Sequence, residues 1–358
     1  MAVDYIMNGL GSGSVANTLI VNGGDTGPLR PWIAEDKQGI PRQYCTINMG
    51  GKPVTRLMQN TTTTMRKDDW LAIDEAVVKA ARPRLKAVAD LRSGGLVYNI
   101  PNGMAKSVLQ TETESDMNDA SVSMDGMRRG RNDKPEFESS NIPLPITHFD
   151  FNYSARTLMI SKAGKTALDT TSAEKAGRKV AEETEKMLIG NSTVADQYTF
   201  AGGTIYGYTD FPNRLTKTIT SPAASGWTGT TLLTEVLEMM AQARAVNQYG
   251  PYVLYTGTSW EQKLGGDFKT ASDKSLRSRI MEIEGISSIR GLDYLSGYAM
   301  ILVQMTTDTV REVIGMDLTT VQWDTHGGMQ KNFKVMAIMV PQIRADFNDS
   351  CGIVHATV

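Results

Sequence analysis

Cysteine and histidine are both scarce in this chain of 358 residues. The two cysteines, Cys45 and Cys351, stand near opposite ends of the sequence. That spacing excludes a disulfide framework and a zinc site built on paired cysteines. The three histidines, His148, His326 and His355, show no HxH or HxxxH spacing that would set two imidazoles on one metal ion. No metal and no cofactor is therefore expected. Long apolar runs are missing too: "VMAIMV" before Pro341 falls far short of the roughly 20 residues a membrane helix needs. The opening "MAVDYIMNGLGSGS" has neither a basic start nor an apolar stretch, so no secretory signal is expected and synthesis and folding in the cytoplasm are. Nor is positive charge in excess, with 37 Lys and Arg against 39 Asp and Glu, a formal net charge of -2. A protein that wraps nucleic acid with its whole surface needs clustered cations. The balance argues against that class and leaves room only for a basic face on a neutral chain.

What is present points to a soluble globular protein rich in loops and sheet, with 41% hydrophobic residues, 21% charged residues and 33 glycines. The length suits two or more domains or one large irregular one.

Residues 1–65 carry turn signals in dense succession, "NGLGSGSVAN", "NGGDTGPLRPW", "NMGGKP" and "NTTTT", and no sustained period. Ordering each backbone residue costs roughly 1 to 2 kcal/mol. This stretch is read as an extended arm ordered by a partner surface. From Lys67, Trp70, Ile73, Val77, Leu85, Val88 and Leu91 recur at helical spacing, with Pro83 expected to kink the helix or start a second one. Then "LVYNIPNGMAKSVLQTETES" and "NIPLPITHFDFNYSAR" read as strands around a polar excursion, a protruding hairpin. Alternation in the second strand sends Phe149, Phe151 and Tyr153 toward a core and His148 and Asp150 to the other face. The clearest helix is Thr170 to Gly190. It has a capping box of Thr171 with Glu174, a narrow face of Ala173, Ala176, Val180, Ala181, Met187 and Leu188, pairs Arg178–Glu182 and Glu182–Lys186, and Gly190 as a left-handed cap. Residues 225 to 310 alternate helix and strand like an α/β domain, and the final stretch returns to sheet.

Motifs that carry chemistry are thin. Gly9, Gly11 and Gly13 lack the strand-helix-strand context of a nucleotide loop. His148 and Asp150 share a strand face and could form a base and its orienter, but no nucleophile lies near in sequence; a polar outward strand face is the simpler reading. Trp260 and Trp323, with many methionines, are expected to fill cores and contacts rather than line a cofactor box. Arg128, Arg129, Arg131 and Lys134 could touch phosphate, but beside acids such as Glu112 and Glu114 they are read as partners for a neighbouring subunit's carboxylates or as solvated charge.

The order of parts resembles the major capsid proteins of tailed bacteriophages, whose HK97-like fold is also used by encapsulin shells. The resemblance is carried by "IPLPITHFDFNYSAR" leading into "ALDTTSAEKAGRKVAEETEKMLIG", then "IYGYTDFPNR" and "FKVMAIMVPQIRADFNDSCGIVHAT", and covers most of the chain from about residue 66. It implies an α+β fold with an N-terminal arm at 1–65, a helical region at 66–92, an extended loop at 93–155, and a peripheral domain at 156–224 with its spine helix at 170–190. An axial domain at 225–310 and return strands of the peripheral domain at 311–358 complete it. The implied function is non-enzymatic: self-assembly into pentamers and hexamers of an icosahedral shell around packaged double-stranded DNA. The chain itself, a scaffold, a portal and decoration proteins would be its partners, and the virion its destination. An encapsulin-type compartment is the alternative.

Overall fold

The computed structural model describes residues 32–35, 41–49, 52–58, 67–115, 134–164, 170–190, 198–269, 274–326 and 329–358, together with residues 122, 124 and 127. In chain order, the strands β1 (Trp32–Glu35), β2 (Pro41–Met49) and β3 (Lys52–Met58) precede the helices α1 (Lys67–Ala81) and α2 (Lys86–Ser93). Strands β4 (Val97–Asn99), β5 (Val108–Glu114), β6 (Phe137–Pro143) and β7 (Thr147–Ser154) lead to α3 (Ala155–Gly164) and α4 (Thr171–Ile189). After β8 (Thr199–Phe200), β9 (Gly203–Thr204) and β10 (Leu215–Thr218) come α5 (Gly229–Ala245), β11 (Tyr252–Gly257), α6 (Glu261–Gly265) and α7 (Leu276–Met281). Strands β12 (Ile286–Leu292), β13 (Met300–Gln304), β14 (Val310–Thr325), β15 (Gln330–Ile343) and β16 (Ile353–Thr357) close the order. The class is α+β, as expected from the sequence.

The chain divides into two compact units, each built from separated stretches. The first holds residues up to 107, 144–188 and 312–341; the second holds 108–143, 189–311 and 342–358.

In the first unit a four-stranded sheet runs in the order β4-β14-β15-β7. Antiparallel register sets Phe333 opposite Phe151 and Lys334 opposite Asp150. Phe151 and Phe333 stack at 5.2 Å, and Trp70 of α1 meets Phe333 edge-on at 5.9 Å. Such pairs add about 0.5 to 1.5 kcal/mol each beyond burial of their area. Ala173, Ala176, Val180 and Ala181 of α4 join this core, confirming the small-residue face. Gly177 is the point of closest approach, because a Cβ there would lie 2.7 Å from the Val77 carbonyl oxygen. Pro83 sits in a 3-10 turn, Arg82–Arg84, between α1 and α2. The missing proline N–H thus separates two helices.

Several expectations need correction here. Trp32 is buried in this same core and packs on Tyr44 at 5.2 Å, and β1, β2 and β3 form an antiparallel sheet. The stretch 32–58 is therefore not an extended arm throughout; short strands broken by turn residues hid their period. The return arm of the hairpin is β6, whereas β7 is a separate strand, because Pro143 and Pro145 interrupt the run between them. Phe149 is 44% exposed, since the aromatic core reaches Phe151 and Tyr153 and stops before it. Helix α4 begins at Thr171, so Thr170 and not Thr171 precedes the first turn, with its hydroxyl 3.5 Å from the Glu174 carboxylate. Lys186 pairs with Glu183 at 3.2 Å in place of Glu182. Gly190 does end the helix at φ +65°.

In the second unit a five-stranded mixed sheet runs β10-β16-β13-β11-β12. The fully buried β11 pairs antiparallel with β13 and parallel with β12. Helix α5 lays Leu232, Val236, Met239, Met240 and Ala243 on this core, and Trp260 donates its indole N–H to the Tyr298 carbonyl at 2.8 Å. The expected grouping of 311–358 divides, since β16 is hydrogen-bonded between β10 and β13. Apolar strands look alike in sequence whichever sheet they enter.

Candidate assembly surfaces

The sequence candidates separate sharply by environment. His148 and Asp150 stand on the open face of β7, 51% and 47% exposed, with Nδ1 3.7 Å from the carboxylate. That distance exceeds a hydrogen bond, and Lys334 shares the same carboxylate at 3.6 Å. His148 and Lys334 line a surface cleft of about 530 Å³ together with Met104, Ile146, Trp323 and Met336. Trp323, expected in a core or a contact, is 37% exposed under the Lys334 ammonium, 5.5 Å from its ring centre. His326 is exposed in a turn at φ +53°. His355 lies between strands, where burial first and the Arg214 charge second push its pKa down to about 4. Burial likewise pushes the Cys351 thiol up to about 12, the reverse of an activated nucleophile. Among the described residues no three His, Cys, Asp or Glu side chains gather as a metal site. Gly9, Gly11, Gly13, Arg128, Arg129 and Arg131 lie outside the described residues.

The hairpin offers a different chemistry. Strands β5 and β6 pair from Val108 opposite Pro143 to Glu114 opposite Phe137. Glu112 and Glu114 are exposed on β5, and Lys134 is exposed just before β6. Phe137 is 64% exposed, and Val122, Met124 and Met127 are more open still. A two-stranded ribbon has no core of its own, and the sequence supplies apolar side chains there nonetheless.

The buried polar contacts are structural, and sequence reading missed most of them. Glu185 of α4 accepts the backbone N–H groups of Ala87 at 2.7 Å and Val88 at 3.3 Å, capping α2 from 98 positions away. Burial raises its pKa to about 7, against the lowering effect of those N–H donors. Arg92 grips Glu312 through two nitrogens, at 2.8 and 3.2 Å, and approaches Asp317 at 3.5 Å. Burial opposes its charge, but these two carboxylates raise its pKa, while burial raises that of Glu312 despite Arg92. Lys331, fully buried, is paired with Asp324. A charge standing in an apolar strand was the only available signal.

Comparison with solved structures defines the architecture. The chain is similar to a virus-like particle from Pyrococcus furiosus, with a TM-score of 0.56 and 16% identity, over 80% of this chain and 98% of that one. It is also similar to the capsid of the Myoviridae phage XM1, with a TM-score of 0.56 and 12% identity, over 74% and 90% of the two chains. A structure from Mycobacterium phage Bobi aligns with a TM-score of 0.51 and 11% identity, over 70% and 85%. The fold is therefore the HK97-like capsid fold expected from the sequence. Within that architecture, residues 59–356 match the model of DUF6260, a family of unknown function, and the chain belongs to that family. No curated protein matches the sequence.

Proposed function

We propose that this chain is the major capsid protein of a tailed bacteriophage. Copies self-assemble into the pentamers and hexamers of an icosahedral head that encloses double-stranded DNA. The observation that carries the reading is the pairing of an HK97-like fold with a hairpin whose apolar side chains, Phe137 foremost, have no core in a two-stranded ribbon. Covering them on a neighbouring copy removes apolar area from water at about 25 cal/mol per Å². Assembly then orders what the isolated subunit leaves open.

On this reading residues 1–65 hold the N-terminal arm with the β1–β3 sheet inside it, 66–92 its following helices, 93–155 the extended loop, whose projecting part is the β5–β6 hairpin while β4 and β7 join the core sheet, and 156–224 the peripheral domain with spine helix 170–190. Residues 225–310 form the axial domain, and the strands after 311 return toward the peripheral one, except that β16 serves the sheet of the second unit. Glu112, Glu114, Arg128, Arg129, Arg131 and Lys134 contact neighbouring copies. A scaffold, a portal and decoration proteins are the further partners, the virion is the site of action, and the role is non-enzymatic.

Negative-stain electron microscopy of the purified chain, with and without a scaffold, tests this: closed particles are expected, and subunits that stay monomeric under every assembly condition overturn it. The second reading is an encapsulin-type compartment, favoured by alignment over 98% of the Pyrococcus particle's chain. Particle contents separate the two, DNA for a head and protein cargo for a compartment.

A further inference from the structure

We infer that the cleft lined by His148, Lys334 and Trp323 receives Phe137 of a second copy of this chain. The inference deepens the shell reading above and rests on it: each copy gives one hairpin and takes another. Two walls of the cleft flank the hairpin in the chain, Met104 just before β5 and Ile146 just after β6. Both are exposed, as is Trp323, so the subunit itself leaves this apolar surface open. Phe137 stands at the other end of the ribbon. Backbone pairing runs unbroken from Glu114 opposite Phe137 to Val108 opposite Pro143, and Leu144 then donates its N–H to the Ser107 carbonyl at 2.9 Å. At roughly 3.3 Å per residue, Phe137 lies about 23 Å from Leu144, whereas Ile146 is within about 7 Å of it. The backbones of Phe137 and Ile146 in one copy are thus about 16 Å apart or more, further than a benzyl group reaches. The Phe137 that fills this cleft comes from another copy.

The chemistry of the two surfaces matches. Residues opposite one another in an antiparallel pair share a face, so Phe137 stands on the face of Glu114 and, one pair further on, of Glu112. All three are exposed. The ring enters among Met104, Ile146 and Met336 and meets Trp323, where thioethers adapt to its shape and an aromatic pair gains beyond buried area. Lys334 and His148 line the same cleft, and the single carboxylate of Asp150 beside them lies 3.6 and 3.7 Å from the two. Glu112 and Glu114 bring further carboxylates to these bases. Because Asp150 already shares both, charge sets the register of the incoming hairpin and the apolar contact supplies the affinity. Tip of one copy on root of the next is a heterologous contact, the kind that closes into a ring when its rotation permits.

The test mixes equal amounts of full-length chain carrying Phe137→Cys and full-length chain carrying Ile146→Cys, under assembly conditions, and treats the product with a short bis-maleimide. Cross-linked dimer on a denaturing gel is expected to rise several-fold above that from either variant alone or from the native chain, whose Cys45 and Cys351 set the baseline. A mixture of Phe200→Cys with Ile146→Cys, in which an exposed aromatic of β8 stands in for the hairpin residue, is expected to stay at that baseline. Particles with no excess dimer in the first mixture, or with an equal excess in the second, overturn the proposal. In a chain carrying both Phe137→Cys and Ile146→Cys, a link that joins no two chains overturns it in favour of the copy's own hairpin. Ile146→Cys linked to a different protein, in particles taken from the producing cell, overturns it in favour of a foreign partner. Should Ile146→Cys not fold, Met104→Cys takes its place with the same expectation. Subunits that cross-link through this pair but never form particles leave the contact standing while the shell reading falls. Particles that lack the link do the reverse, and the absence of both overturns both.

Discussion

The two units solve the problem of a stable core differently. In the first, charges sit inside: Glu185, Glu312, Asp317 and Lys331 are all buried, and each has a polar partner across the core or along a strand. In the second, the interior is almost wholly apolar, with Glu235 its one buried charge among the described residues. Desolvating an ion costs several kcal/mol, so a buried pair is weak evidence for stability, while removing one partner is strongly destabilising. The first unit is therefore held in one arrangement by geometry that tolerates no missing member. The second is held by volume and tolerates substitution in proportion to the space left behind.

That contrast can be broken in order of effect. Glu312→Gln removes the bidentate carboxylate from Arg92, leaving it only Asp317, and is expected to destabilise the chain by about 3 kcal/mol in denaturant unfolding. Leu302→Ala, at a fully buried site in β13, is expected to cost about 2 to 5 kcal/mol with no dependence on pH. If the Glu312 variant proves milder than the Leu302 variant, the ionic core is not the more demanding one.

A gentler comparison uses pH. The folded pKa of Glu185, about 7, lies above its ordinary 4.5, so the fold favours the protonated carboxyl. Its contribution is complete below about pH 4.5 and lost as pH rises through about 7, on the order of 3 kcal/mol in all. His355 runs the other way, since its folded value of about 4 lies below the ordinary 6.5 and its contribution is lost as pH falls through that window. Glu185→Gln is expected to remove the fall in stability between about pH 4.5 and 7 and to leave the His355 contribution in place. A variant curve parallel to the native one removes the assignment.

The smallest expected effect on folding is at the hairpin. Phe137→Ser is expected to change unfolding free energy by less than about 0.5 kcal/mol, as at a site with little to lose. Particle yield by sedimentation is expected to drop, and an unaltered yield takes Phe137 out of the interface.

Much of this was readable beforehand, and the reasons for the exceptions are physical. Helix α4 announced itself through its alanine face and Gly190, and the Pro83 break was visible because proline acts locally. The capping of α2 by Glu185 was not, because nothing in the sequence links residues 87 and 185 until both helices pack. Trp323 shows the same limit: an aromatic reads as core or contact alike, whether its face meets a helix or a lysine. Alternation placed Phe149 on the correct side of β7 but could not reveal where the covering aromatics stop.

The position of β16 inside its sheet carries a consequence for synthesis. This strand, residues 353–357, lies between β10 and β13, and residues 312–341 complete the other sheet. Chains emerge from the ribosome at about 5 to 20 residues per second, and domains ordinarily close as they appear. Here the first unit waits for residues 312–341 and the second for β16. A ribosome paused before Ile353 would hold β10 and β13 with unsatisfied edges, so closure of the second sheet waits on β16.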